Sequence, residues 1–126
     1  MRAASPSVPG AWTEQGRREV LVIARIWSGT ARPDRIDAYV THLREKTFPQ
    51  LASIDGRRGA YVLTHPSNDI VDVTVITLWE SVDAITRFAG ADPEVAVVPL
   101  EAQALLNSWD LHAVHWDVAC HAPQSA

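Results

Sequence analysis

The sequence has little of what stabilises secreted proteins or anchors membrane proteins. Cys120 is the single cysteine among 126 residues, so no intrachain disulfide can form and no pair of thiolates is present for zinc. Residues 1–16 lack the apolar stretch of a secretory signal. No segment approaches the roughly 20 apolar residues that a membrane-spanning helix needs. We therefore expect a cytoplasmic protein with no membrane partner.

A concentrated basic surface and cofactor-binding motifs are also absent from the sequence. The formal net charge is -4 and the isoelectric point is about 5.6. A nucleic-acid groove needs clustered positive charge, so we expect no nucleic-acid partner. No Gly-rich phosphate loop, nucleotide fingerprint, Ser/His/Asp arrangement or recognised spacing of metal ligands occurs, and neither a cofactor nor a metal is predicted.

What the sequence does contain is enough patterned apolar residues for one domain. Hydrophobic residues make up 47% and charged residues 21% of the chain, as is usual for a globular domain. Residues 1–17 carry Ser, Thr, Pro and Gly without periodicity, and residues 119–126 are similar. We predict a folded domain over residues 18–118 between two flexible tails.

The first half of this domain begins with a strand and a helix. The stretch "EVLVIARIW", residues 19–27, is short and rich in Val and Ile, which is typical of a buried strand. Asp34 is a suitable N-cap for a helix over residues 35–47, whose apolar residues recur at helical spacing. Pro49 is expected to break that helix, because proline lacks the amide hydrogen.

A hairpin and a second helix follow. Two strands are predicted, over residues 57–65 and 70–79, and the turn-forming sequence "PSND" joins them. Ser81 is a good N-cap for a short helix that ends at Gly90.

The chain then returns to strand structure. Asp92-Pro93 is expected to start another helix, which Pro99 breaks or resets, and residues 110–118 alternate as a last strand. The order β-α-β-β-α-β predicts an α+β, ferredoxin-like fold with an antiparallel sheet.

The sheet is expected to be apolar on both faces although helices cover one. Ala24 and Ile26 alternate with Ile23 and Trp27 along the first strand, and the third strand is similar. A large apolar face does not stay in water on a monomer. We therefore predict a homodimer in which two sheets pack face to face.

Four stretches within roughly residues 19–118 carry a resemblance to a known family: "ARIWSGTA", "GAYVL", the run from "LWES" to "AVVP", and the final "HWDV". In these stretches the chain resembles the antibiotic biosynthesis monooxygenase-like family of the dimeric α/β-barrel superfamily. The resemblance implies a dimeric barrel, a small aromatic substrate, and cofactor-independent oxidation of polyketide-like molecules. It also implies a pocket between sheet and helices, with Trp79 in the place of a pocket tryptophan.

The chain departs from the family at two positions. Some quinone-forming members carry an Asn where this sequence has Val75, and haem-degrading members carry a His where it reads Phe88-Ala89-Gly90. The resemblance therefore does not imply a haem site here.

Arg25 and a histidine are the candidate catalytic residues. Arg25 lies in an otherwise apolar strand, so its charge must either pair with a carboxylate, for which Asp117, Asp72 and Glu80 are the candidates, or anchor a substrate anion in a cavity. In the split βαβ order the last strand neighbours the first, so either His115 or His112 can share a face with Arg25. His115 is the preferred base, and a core histidine bonded to backbone is the alternative.

Aromatic residues supply the candidate substrate-binding walls. Trp79, Trp27 and Tyr39 are the predicted ligand contacts, although packing of the core explains such residues equally well. Three functions remain open: a cofactor-independent monooxygenase, an isomerase, cyclase or lyase on the same fold, and a non-catalytic dimeric ligand-binding protein.

Overall fold

A computed structural model describes residues 22–122, which form one antiparallel sheet with helices against one face. The predicted N-terminal tail, residues 1–17, lies outside the described residues. The elements, in chain order, are β1 (Ile23–Ala31), α1 (Ile36–His42), a π-helical turn (Leu43–Thr47), α2 (Phe48–Ala52), β2 (Arg57–Ser67), β3 (Ile70–Trp79), α3 (Val82–Ala89), α4 (Leu100–Gln103), β4 (Ser108–Trp109) and β5 (Val114–Asp117).

The sheet has the order β2-β3-β1, and both β4 and β5 pair with the remaining edge of β1. All pairs are antiparallel. This is the predicted α+β, ferredoxin-like arrangement, which is confirmed, with the short β4 as an addition. The first and last strands are neighbours, as the split βαβ order requires.

The first strand runs further than the sequence pattern indicates. The strand was predicted to end at residue 27, but the residues "SGTA" continue β1 to Ala31. Gly29 explains why β4 can pair there: a Cβ at this position would lie 2.8 Å from the Ser108 carbonyl oxygen. A glycine in a strand often marks such a close backbone approach.

The predicted helix over residues 35–47 is wrong in its cap and in its end. Asp34 does not cap it, because its carboxylate lies 3.2 Å from Arg32 Nε and the N-cap is Arg35. Pro49 does not break the helix either, since a π-helical turn, Leu43–Thr47, precedes it and α2 continues to Ala52. A wider turn removes the clash between a proline ring and the carbonyl four residues earlier.

The hairpin and the next helix follow the prediction closely. The turn is tighter than "PSND", because Ser67 pairs with Ile70 and Asn68 takes a φ of 54°. Ser81 caps α3 by accepting a hydrogen bond from Ala84 N at 3.1 Å. Gly90 ends that helix with a φ of 95°, a conformation that favours glycine.

The helix predicted to begin at Asp92-Pro93 does not form. The Asp92 carboxylate instead accepts a hydrogen bond from Glu94 N at 3.0 Å, which closes a local turn. Val95 then bridges to His112, and the segment to Pro99 is irregular. The predicted last strand, 110–118, is likewise shorter, and only Val114–Asp117 pair as β5.

One sheet face is covered and the other is open within residues 22–122. The helix-facing residues include Val73, which is fully buried, and Trp79. The opposite face presents a continuous apolar surface, which we call the outer face. Its members are Ala24 and Ile26 of β1, Tyr61 and Leu63 of β2, Ile76 and Leu78 of β3, and Val114 and Trp116 of β5.

Candidate functional site

Arg25 projects from the middle of β1 to the helix-facing side of the sheet. It is 5% exposed and, among residues 22–122, makes no ion pair. Its guanidinium donates from Nη2 to the Val95 carbonyl at 2.7 Å and from Nε to the Pro93 carbonyl at 3.4 Å. The irregular segment that replaces the predicted helix therefore orients the guanidinium.

The proposed ion-pair partners of Arg25 are engaged elsewhere or exposed. Glu80 pairs with Arg58 at 2.7 Å, and Asp72 lies 3.8 Å from His65. Asp117 is exposed at the end of β5, where its backbone is opposite that of Ile23 in the strand pair. Burial lowers the pKa of the Arg25 guanidinium, but an arginine is not deprotonated in proteins. Arg25 thus remains a buried cation whose hydrogen bonds within residues 22–122 go to carbonyl groups.

Three polar residues form a row across three neighbouring strands. Arg25 pairs directly with His115 of β5 on one side and with Thr77 of β3 on the other. Residues directly opposite in an antiparallel pair project to the same side of the sheet. Of the two histidines considered from the sequence, it is therefore His115 that shares a face with Arg25.

The environment of His115 favours the neutral imidazole. Burial lowers its pKa below the ordinary 6.5, and the charge of Arg25 lowers it further. Glu94 and the Pro93 carbonyl act in the opposite direction. The Nε2 atom is buried and has no hydrogen-bond partner among residues 22–122. A neutral imidazole with an unpartnered nitrogen can accept a proton.

A cleft lies between the sheet and the helices next to this row, and we call it the Arg25 cleft. It is a narrow cleft with a cavity volume of about 40 Å³, and it opens to solvent. It is lined by Arg25, Trp27, Tyr39, Leu43, Thr47, Phe48, Leu51, Val75, Thr77, Phe88 and Val97. The predicted pocket residues Arg25, Trp27 and Tyr39 are therefore brought together.

Two residues predicted for the site do not line the cleft. His115 stands beside Arg25 but is not part of the lining. Trp79 is fully buried in the core behind Phe88, with their ring centroids 5.9 Å apart. Its Nε1 donates to Thr77 Oγ1 at 2.8 Å. Trp79 thus supports the cleft and is not one of its walls.

The walls of the cleft are held by their own contacts. Trp27 Nε1 donates to the Asp110 carbonyl at 2.8 Å, which fixes the indole ring. Tyr39 comes from α1, and burial raises the pKa of its hydroxyl, so the hydroxyl stays neutral. The π-helical turn contributes Leu43 and Thr47 to the lining. Turns of this kind occur often at functional sites.

Thr77 and Phe88 are lining residues that the sequence reasoning missed. Thr77 is a single polar residue on the face that carries Val73, Val75 and Trp79, which is the same signal that singled out Arg25. The guanidinium carbon of Arg25 lies 5.5 Å from the centre of the Phe88 ring, a cation–π contact. The strand and helix patterns in the sequence do not predict that contact, because it joins β1 to α3.

The described part of the chain offers neither a membrane-spanning helix nor a metal cluster. None of the helices within residues 22–122 is long and apolar enough to cross a membrane. The same residues contain no group of three or more His, Cys, Asp or Glu side chains arranged to hold a metal ion.

The fold and the cleft define a ferredoxin-like α+β domain with a narrow, mostly apolar cleft between its sheet and helices, and solved structures share this fold. One, described as a candidate antibiotic biosynthesis monooxygenase of Bacillus cereus, is 13% identical with a TM-score of 0.60 over 84% of this chain and 99% of that one. Another is a Streptomyces coelicolor monooxygenase from the gene ActVA-Orf6, in complex with nanaomycin D. It is 19% identical with a TM-score of 0.52, over 84% of this chain and 94% of that one.

These likenesses confirm the fold that the sequence resemblance implied. No family model matches the chain, and no curated protein sequence matches it. At such low identity the likeness establishes the fold, and a function must be argued from the site.

Proposed function

We propose that the protein is a monooxygenase that binds a small aromatic molecule in the Arg25 cleft and oxidises it directly with dioxygen, without a cofactor. The observation that carries the proposal is the buried Arg25 cation, which lines a mostly apolar cleft and has no carboxylate partner within residues 22–122. Such a cation attracts an anion whose remaining surface is apolar, and a phenolate or an enolate is of this kind.

The walls support an aromatic ligand. Trp27, Tyr39, Phe48 and Phe88 line the cleft, and flat rings pack well against such side chains. The fold is shared with monooxygenase structures, one of which holds nanaomycin D. These observations favour an aromatic substrate with an ionisable oxygen, and they are consistent with the polyketide-like class implied by the sequence resemblance.

The proposed reaction requires no external reductant. Loss of a proton from an anthrone-type substrate gives an anion, whose oxygen Arg25 stabilises. The anion transfers an electron to dioxygen, and the radical pair combines at the carbon that lost the proton, which gives a peroxide. Cleavage of the O–O bond then leaves a carbonyl oxygen on that carbon and releases the second oxygen as water, using the two hydrogens of the substrate methylene.

His115 is the proposed proton acceptor in this reaction. Its imidazole is held neutral by burial and by Arg25, and its Nε2 lacks a partner within residues 22–122. His115 stands beside the cleft lining, opposite Arg25 on β5, so the proposal requires the proton to travel from the cleft to this side chain. The titratable groups of the lining itself are Arg25 and Tyr39. Burial raises the pKa of the Tyr39 hydroxyl, and neither group is a base at neutral pH.

Oxygen uptake tests the proposal. The purified protein, treated with EDTA and checked for flavin, is mixed with dithranol, an anthrone with ionisable hydroxyls, in an oxygen electrode. The proposal predicts oxygen uptake above the uncatalysed rate. It also predicts that the rate of uptake falls strongly in the Arg25→Met variant. Turnover that proceeds equally without oxygen would indicate the isomerase, cyclase or lyase alternative.

A non-catalytic ligand-binding protein is the second candidate, and one observation favours it. Within the described residues no base lines the Arg25 cleft directly. This candidate predicts that aromatic anions bind and that neither oxygen uptake nor anaerobic conversion accompanies binding.

We also propose that the outer face joins two copies of the chain. Tyr61, Leu63 and Trp116 are 57%, 49% and 61% exposed on one continuous apolar surface. An apolar sheet face of this size is characteristic of an interface, and a second copy brings a face of matching shape and chemistry. The cytoplasmic location expected from the sequence stays a prediction.

A further inference from the structure

The hydrogen bond between Trp79 and Thr77 determines what the Thr77 hydroxyl can do. The two side chains belong to alternate residues of β3, and Trp79 Nε1 lies 2.8 Å from Thr77 Oγ1. An indole nitrogen can only donate, so the threonine oxygen is the acceptor. The hydroxyl proton of Thr77 is therefore not used in this bond.

That proton has no acceptor among residues 22–122, and the residue lines the cleft. Thr77 is 5% exposed, and its recorded hydrogen bond is the one it accepts from Trp79. A buried hydroxyl donor without an acceptor is costly, so a ligand oxygen in the cleft would satisfy it. Arg25 is directly opposite on β1, and both side chains line the same cleft.

We propose that Thr77 is a second hydrogen-bond donor to the substrate oxygen that Arg25 binds, and that Trp79 is a positioning residue acting through Thr77. The proposal rests on the proposed function only in that an aromatic anion occupies the cleft. A cation and a neutral donor that converge on one oxygen favour its ionised form. The substrate class is therefore a phenol or enol bound as its anion.

Trp79 is suited to this role because it contacts both Phe88 and Thr77, which lie beside the proposed anion site. It supports Phe88 by stacking, and Phe88 in turn lies against the Arg25 guanidinium. The same indole donates to the Thr77 oxygen, so the Thr77 O–H group is left to donate to the ligand. A phenylalanine at this position would keep the packing and lose the hydrogen bond.

The test is a spectroscopic titration with 4-nitrophenol, whose anion absorbs visible light and whose single ring suits a narrow cleft. The wild-type protein is expected to bind the anion and to lower the apparent pKa of the bound phenol by about one unit or more. Thr77→Val, which keeps the shape and removes the hydroxyl, is expected to weaken anion binding about tenfold and to reverse part of that shift. Thr77→Ser is expected to restore both.

The Trp79→Phe variant separates positioning from packing. Trp79→Phe alone is expected to weaken anion binding, and the double variant Thr77→Val/Trp79→Phe is expected to bind no more weakly than Thr77→Val. Additive losses would mean that Trp79 does not act through Thr77. Anion binding unchanged in Thr77→Val, or equally weak in Thr77→Ser, would overturn the proposal, and so would a wild-type protein that does not bind the anion.

Turnover is not needed for this experiment, so the two proposals fail separately. Anion binding that depends on Thr77, in a protein that consumes no oxygen, would refute the monooxygenase and keep the Thr77 site. Circular dichroism of each variant checks folding, and the Trp79→Phe comparison carries the test if Thr77→Val does not fold.

Discussion

Arg25 and His115 face each other directly across the β1–β5 pair, on the side of the sheet that carries the helices. The arginine is a buried cation, and the histidine has a lowered pKa caused first by burial and then by that cation. The pair therefore combines an anion-binding group with a neutral proton acceptor. The charge of Arg25 favours the neutral form of His115, which a titration can detect.

Removing the Arg25 charge is expected to raise the pKa of His115. In Arg25→Met the lowering by the Arg25 charge disappears while the burial contribution stays, so the pKa of His115 should move upward. A proton NMR titration of the His115 ring in both proteins measures the shift. An unchanged or lower value in the variant would show that the two side chains do not interact as the structure indicates.

The lowered pKa of His115 is expected to make folding stability depend on pH. The unfolded chain binds a proton near pH 6.5, whereas the folded chain resists it to a lower pH. The stabilising contribution is therefore complete above that value and is lost as the pH falls through the folded pKa. Urea unfolding of wild type and His115→Gln, from about pH 7.5 to about pH 5, measures it. The variant should lose less stability on acidification, and parallel curves would contradict the assignment.

Replacing Gly29 by alanine is expected to destabilise the protein, whereas the same change at Gly59 is not. A Cβ at Gly29 would lie 2.8 Å from the Ser108 carbonyl oxygen, so Gly29→Ala must push β4 away from β1. We expect a loss of about 1–3 kcal/mol in the free energy of unfolding. Gly59→Ala is the matched control, because its Cβ would meet Leu78 at an ordinary 3.8 Å. Similar losses in both variants, measured by urea unfolding, would show that the close approach is not the cause.

A charge on the outer face is expected to separate the proposed dimer. Leu63 projects from β2 to the outer face, whereas the adjacent Thr64 projects to the opposite side. Both are exposed, so lysine at either position should leave the fold intact. Sedimentation analysis is expected to show a dimer for wild type and Thr64→Lys and a monomer for Leu63→Lys. A monomeric wild-type protein would refute the dimer.

The sequence predicts the sheet better than it predicts the site. Alternation along β1 and β3 groups Arg25 with Trp27 and Val75 with Trp79, but it does not show which face the helices cover, because both faces are apolar. The choice between His112 and His115 depends on the register of β5 against β1, which local patterns do not contain. Trp79 was expected to contact the ligand, but α3 places Phe88 in front of it.

The missed features share a physical cause, since each depends on contacts between distant segments. The helix expected at Asp92-Pro93 gives way because the carbonyls of Pro93 and Val95 bind the Arg25 guanidinium. Pro49 is accommodated by a π-helical turn, whose Leu43 belongs to the same buried cluster as Trp27 and Val75 of the sheet. Tertiary contacts override local propensity in both cases.

The most direct test of the account is the fate of labelled dioxygen. Turnover of dithranol under ¹⁸O₂, in the presence of EDTA, is followed by mass spectrometry of the oxidised product. The account predicts one labelled oxygen in the new carbonyl group, formed much faster by the wild-type protein than by Arg25→Met. A product formed at the uncatalysed rate, or with its new oxygen derived from water, would contradict direct oxidation in the Arg25 cleft.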